Sequence, residues 1–142
     1  MKKWTTLMAL AVLAGCAADT AGLRATDLRD PQYLRAERTI SLTFPQIQQA
    51  LFKHQAACGS AAVFSLDERQ TSYATIVARP AGAVNFQNAL LVDLTQYQGT
   101  IMEEWRVKTK VYAYYADSAT EKRIDQLFNS ITHPEVCANQ DS

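Results

Sequence analysis

Over residues 102–115 the chain alternates so regularly that only an extended conformation sorts it into two faces. The odd positions read Glu103, Trp105, Val107, Thr109, Val111, Ala113 and Tyr115, and the even ones Met102, Glu104, Arg106, Lys108, Lys110, Tyr112 and Tyr114. Successive side chains of a strand point to opposite faces, whereas a helix would scatter the same residues around its axis. One face is largely apolar and the other charged or phenolic, the pattern of an antiparallel sheet that is wet on one side. A strand of this kind commits the chain to a sheet whose dry face must be covered.

The rest of the chain supplies partners and cover. Thr39-Ile40-Ser41-Leu42-Thr43-Phe44 alternates polar and apolar residues and predicts a strand. Pro45 fits the first helical position, where its missing N–H costs nothing. Ile47, Leu51, His54 and Cys58 then share one helical face with Ala50 beside them, and Gly59 can adopt the positive φ that ends a helix. Three shorter alternating runs follow at 62–66, 72–79 and 89–97, with Pro80 and Gly82 in the second gap. A Gln98-Gly99 type I′ turn into the long strand would force positive φ on glutamine and set Asp93 opposite Glu104. A Gly99-Thr100 type II′ turn puts glycine where it is wanted and sets Asp93 opposite Arg106 and Leu94 opposite Trp105, so this register is expected. Ser118 with Glu121 reads as a capping box that opens a last helix. Ile124, Leu127, Phe128 and Ile131 share its buried face, and Pro134 stops it. The order strand, helix, four strands, helix predicts an α+β fold of two layers: an antiparallel sheet of four to five strands with two helices on one face. Residues 39–142 are expected to form this single domain.

The front of the chain carries a different message. Lys2 and Lys3 precede an apolar run over 7–13, too short for a membrane-spanning helix, which needs roughly 20 apolar residues. A positive start, a short apolar core and small residues before a cleavage point make a secretory signal. Here the run ends in Leu13-Ala14-Gly15-Cys16, which resembles the lipobox of bacterial lipoproteins. The resemblance covers the first sixteen positions and implies diacylglycerol transfer to the Cys16 thiol, cleavage before Cys16 and acylation of the new amino terminus. It makes 1–15 a signal peptide, 16–38 a lipidated N-terminus and tether, and the membrane a partner through the lipid. One acyl chain holds a protein marginally, whereas two or three hold it stably. Aspartate directly after the cysteine retains such lipoproteins at the inner membrane; Ala17 and Ala18 stand there instead, which implies the outer membrane with the domain facing the periplasm. Residues 17–30 are small, polar and aperiodic and read as a flexible tether with a mean reach of roughly 20 Å. The competing reading is that Leu23, Leu28, Tyr33 and Leu34 dock on the domain.

Removing 1–15 leaves 142 − 15 = 127 residues, and the loss of Lys2 and Lys3 leaves 14 − 2 = 12 basic against 14 acidic side chains. A net charge near minus two argues against nucleic acid as a partner. With Cys16 claimed by lipid, Cys58 and Cys137 are the one remaining pair, and in an oxidising envelope a disulfide is expected. It closes a loop of 137 − 58 = 79 residues, worth about 4.5 kcal/mol in the chain-entropy model. A tetrahedral zinc site built from His54, Cys58, His133 and Cys137 is the alternative; it needs reduced thiolates, and Pro134 keeps the second pair off one helix. A Cys58–His54 dyad could act as a nucleophile and base, but a histidine among Ile47, Leu51 and Cys58 reads as a packed core residue. There is no nucleophile elbow, phosphate loop or dinucleotide fingerprint, so no catalytic residue and no cofactor is expected. The candidate partner surface is the wet strand face of Arg106, Lys108, Lys110, Tyr112 and Tyr114, since phenols beside cations suit protein recognition. These readings describe a non-enzymatic interaction module that binds another envelope protein. The alternative is a carrier of a small apolar or lipid ligand, held in a cavity among Phe52, Phe64, Trp105, Val107 and Phe128.

Overall fold

The computed structural model describes residues 22–59, 62–101 and 103–138. In chain order these form α1 (Ala25–Leu28), a 3-10 turn (Pro31–Tyr33), β1 (Leu34–Ile40), α2 (Phe44–Cys58), β2 (Ala62–Leu66), β3 (Tyr73–Ala78), β4 (Leu90–Gln98), β5 (Trp105–Tyr112) and α3 (Ser118–Thr132). The sheet has five antiparallel strands in the order β1-β5-β4-β3-β2, a meander with β1 returned to the far side of β5. The α+β class therefore stands, with α2 and α3 on one face and the short α1 on the other.

The dry face is built as the alternation requires. Ile76, Val92, Leu94, Val107 and Val111 meet Phe44, Ile47 and Leu51 of α2 and Ile124, Leu127, Phe128 and Ile131 of α3 in one core. Thr109 is the polar member of this layer and is fully buried; its hydroxyl donates to the Arg38 carbonyl at 3.0 Å, so its burial leaves nothing unsatisfied. Phe44 stacks edge-on against Phe64 of β2, with ring centroids 5.8 Å apart. Arg38 of β1 lies 4.4 Å from the Phe128 ring and pairs with Asp125, which ties α3 to that edge.

The other face is graded by row. Val63, Val77, Leu91, Tyr112 and Leu34 pair in succession across all five strands as one apolar row. The next row is Ser65, Thr75, Asp93, Lys110 and Glu37, and the one after it Tyr73, Thr95, Lys108 and Thr39. Val63 at the edge stays exposed, but water would meet the rest of the first row were it not for the N-terminal segment. Leu28, fully buried, packs with Leu91 and Tyr112, and Leu23, Ala25, Tyr33, Leu34, Val77 and Phe86 close around them. The segment is fixed by polar contacts as well. Arg29 grips Asp93 through two nitrogens at 2.8 and 2.9 Å, Phe86 N–H donates to the Leu23 carbonyl at 2.9 Å, and Ala113 N–H donates to that of Tyr33 at 3.0 Å. Arg35 donates to the carbonyls of Gln32, Ala113, Tyr114 and Tyr115 at 2.9–3.1 Å, a fork that a lysine could not reproduce.

Four expectations are corrected by these contacts. The tether reading of 16–38 fails from Leu23 onward, because docking of Leu23, Leu28, Tyr33 and Leu34 extends the domain to that point; 16–21 lie outside the described residues. The first strand is Leu34–Ile40 rather than 39–44, since Thr43 is taken as the cap of α2: its hydroxyl accepts from Gln46 N–H, and the Gln46 carboxamide accepts from Thr43 N–H at 2.8 Å. Asp117, not Ser118, caps α3, its carboxylate accepting from Thr120 N–H at 2.8 Å. Neither two-residue turn joins β4 to β5: Gln98 pairs with Trp105 and Asp93 with Lys110 across a six-residue loop in which Glu103 takes φ 51°. The slip relative to the expected register is even, so every side chain keeps its expected face.

Candidate functional site

The wet face and the hairpin loop beside it form an uncovered surface of mixed charged, polar and apolar side chains. Arg106, Lys108 and Lys110 of the expected partner surface stand in a line along β5 and are exposed. Glu37 on β1 sits between the two lysines at 3.7 and 3.8 Å, and Glu104 is 3.9 Å from Arg106, so three cations face two acids. These pairs are roughly half exposed, and such contacts contribute about 0–1 kcal/mol each. Beside them an open concavity of about 560 Å³ is bordered by Arg29, Asp67, Tyr73, Thr95, Lys110 and Tyr112. The hydrogen bond to the Asp93 carboxylate holds the Arg29 guanidinium above its ordinary pKa.

Two residues of the expected surface do not belong to it. Tyr112 lies under Leu28 with 8% of its surface exposed, and burial pushes its phenol above the ordinary tyrosine range. Tyr114 is at the opposite end of the sheet, stacked between Tyr33 and Tyr115 with centroids 5.6 and 5.1 Å away. Alternation alone could not separate these two from Lys110, because what distinguishes them is the docked segment.

In their place the structure presents the β4–β5 hairpin tip. Ile101 is 94% exposed, Trp105 47% and Tyr97 39%, and Tyr97 pairs directly across from Arg106. Gly99 N–H donates to the Glu104 carbonyl at 2.9 Å and Gln98 Nε2 to that of Glu103 at 3.0 Å, which closes the loop and leaves Ile101 projecting. A concavity of about 280 Å³ runs between Tyr97, Ile101, Glu104 and Arg106. The sequence holds only a faint trace of this tip, an isoleucine among the turn residues Gly99-Thr100-Ile101, whose direction is undefined until the loop closes.

The remaining site residues resolve as follows. Cys58 and Cys137 lie with Cα atoms 5.4 Å apart in disulfide geometry, at the end of α2 and beyond α3. The four-residue zinc alternative is not assembled: His54 donates through Nδ1 to the Pro134 carbonyl at 2.9 Å, while His133 Nδ1 is 3.0 Å from the Thr132 hydroxyl. Among the described residues no three His, Cys, Asp or Glu side chains converge as a metal site. Paired with Cys137, Cys58 presents no thiol for a dyad with His54. The carrier cavity expected among Phe52, Phe64, Trp105, Val107 and Phe128 is not formed, since Val107 and Phe128 are packed in the core whereas Phe52 and Trp105 face solvent. A different cavity, of about 300 Å³, opens between helices and sheet, lined by His54, Arg79, Leu90, Arg123, Leu127 and Ser130 among others. Cys16 lies outside the described residues. No described helix is long and apolar enough to cross a membrane. Comparison with protein-family models, with curated proteins and with solved structures finds no match for the chain.

Proposed function

We propose that this chain is a lipid-anchored, non-enzymatic interaction module of the bacterial cell envelope. Cleavage before Cys16 and acylation of that residue attach it to the outer membrane, and its domain faces the periplasm, where oxidation joins Cys58 to Cys137. The domain docks onto another envelope protein through the hairpin tip and the adjoining cations of β5. The observation that carries this reading is the exposure of Tyr97 and Ile101 next to Arg106 on the wet face, because tyrosine and arginine are enriched in the energetic centres of protein interfaces. The one-charge excess of Arg106, Lys108 and Lys110 over Glu37 and Glu104 favours a partner with an apolar slot rimmed by acids.

A photo-crosslinking residue placed at Ile101 in living cells tests the docking. One discrete adduct is expected, and it should vanish when Tyr97→Ala is combined with Arg106→Glu. A smear, or an adduct indifferent to that double change, would overturn the assignment. Intact mass of the membrane-extracted protein tests the anchor separately, since it must have lost 1–15 and gained a lipid.

The carrier reading is supported only by the cavity at His54, Arg79 and Arg123. Its volume stands at the lower bound of small-molecule sites, and its cationic rim suits an anion-headed ligand. Native mass spectrometry showing a bound species lost on Arg123→Ala would favour it.

A further inference from the structure

We infer that the end of the domain formed by residues 79–86 and the tyrosines Tyr114 and Tyr115 rests on the bilayer surface, so that the hairpin tip is held outward. This rests on the lipid anchor proposed above. The starting point is where the chain enters the fold. Leu23 is hydrogen-bonded to Phe86, and Gly22 lies so close to Asn85 that a Cβ there would come within 2.8 Å of its side-chain nitrogen. Only six residue steps separate Gly22 from Cys16, a span of at most about 20 Å even fully extended. The lipid is therefore confined to the neighbourhood of this end. Because Leu23 onward is docked, the anchor has no further slack to pay out.

The surface at this end has the composition of a membrane interface. Val84 is 90% exposed at the tip of the 79–86 loop, and Val63 is 60% exposed beside a concavity of about 380 Å³ that Arg79, Pro80 and Phe86 help to line. Tyr114 and Tyr115 are each 40% exposed, and Gln87 donates to the Tyr115 hydroxyl, which joins the tyrosines to the loop. Rings with one apolar body and one polar tip settle at headgroup depth. The Arg79 guanidinium stacks 5.0 Å from the Phe86 ring and forms no salt bridge among the described residues, leaving it free to meet lipid phosphate. Asp27 is paired with Arg24, whereas Asp117 keeps its negative charge as the cap of α3. The hairpin tip lies at the other end of β4, and the eight steps from Leu90 to Gln98 span about 27 Å.

Depth-dependent quenching tests the placement on the mature, lipidated protein. Val84→Cys and Ile101→Cys, each labelled with an environment-sensitive fluorophore, are reconstituted into phosphatidylethanolamine–phosphatidylglycerol vesicles that carry a nitroxide near the headgroup. Quenching at position 84 should exceed that at 101 by about twofold or more, as expected for a side chain sunk several ångströms into the interface. Arg79→Glu should reduce it. Equal, weak quenching at both positions in protein whose mass confirms the lipid would overturn the placement while leaving the anchor intact, as would stronger quenching at 101. Protein that carries no lipid by mass would instead remove the anchor and this inference with it.

Discussion

Leu28→Ala tests whether the N-terminal segment is part of the folded domain. Leu28 is fully buried against Leu91, also fully buried, and Tyr112, so truncation leaves a void against these two large side chains. Leucine-to-alanine changes in well-packed sites cost about 2.7–5 kcal/mol, less where the surroundings can settle. One wall of this site is a four-residue helix on a short segment, which can move inward, and the expected loss is accordingly about 3 kcal/mol, or roughly 10 °C in Tm. The loss has a ceiling, because the segment can detach and expose the Val77, Leu91 and Tyr112 row without dissolving the core under α2 and α3. Denaturant unfolding followed by circular dichroism gives the global figure, and hydrogen exchange resolved by peptide gives the local one. Amides of 23–34 should exchange first and fastest in the variant, ahead of β4. Leu66→Ala, at a side chain 53% exposed, is the control and should change stability by no more than about 0.5 kcal/mol. If Leu28→Ala behaves like that control, the segment is decoration and the boundary of the domain lies near Leu34.

Two further outcomes follow from other contacts. Replacing both Cys58 and Cys137 with alanine should cost about 4 kcal/mol by the chain-entropy argument, and reduction of the parent under denaturing conditions should raise its intact mass by two hydrogens; no mass gain would remove the disulfide. Asp117 accepts from Thr120 through side-chain and backbone hydrogen bonds, which hold its carboxyl below the usual range. A lowered folded-state pKa gives stability that is complete above the unfolded value, near 4, and is lost as pH falls through the folded one. Asp117→Ala should therefore be less stable than the parent at neutral pH, and the gap should close as acid protonates the parent's cap; a gap that stays constant down to low pH would refute the capping role.

Much of this architecture could be read from periodicity and punctuation. The strand Ala62–Leu66, the helix ended by Gly59 and the last helix followed by Pro134 are where alternation, spacing and special residues place them. What could not be read depended on contacts distant in sequence. The span 17–30 looks like a linker because its apolar residues show no period, yet the single buried Leu28 and the Arg29–Asp93 pair are enough to dock it. That docking then buries Tyr112, which no local pattern distinguishes from its exposed neighbours. The hairpin register was not legible either: a glycine suggested a two-residue turn, but β4 and β5 pair across a six-residue loop, wider by an even number of positions. The cations of the candidate surface were legible from the alternation of 102–115. Its apolar centre at Ile101 was not, because a loop residue has no face until its loop is closed.

The return of β1 to the far side of β5 sets an order of events when the chain is made from its amino end. β2, β3, β4 and β5 can zip by successive short hairpins, whereas Glu37 must wait for Lys110, 110 − 37 = 73 residues later. Closing that long loop is the slow, late step. The first strand to emerge is thus the last to find its neighbour, and until it does, β5 offers an unsatisfied border to any passing strand.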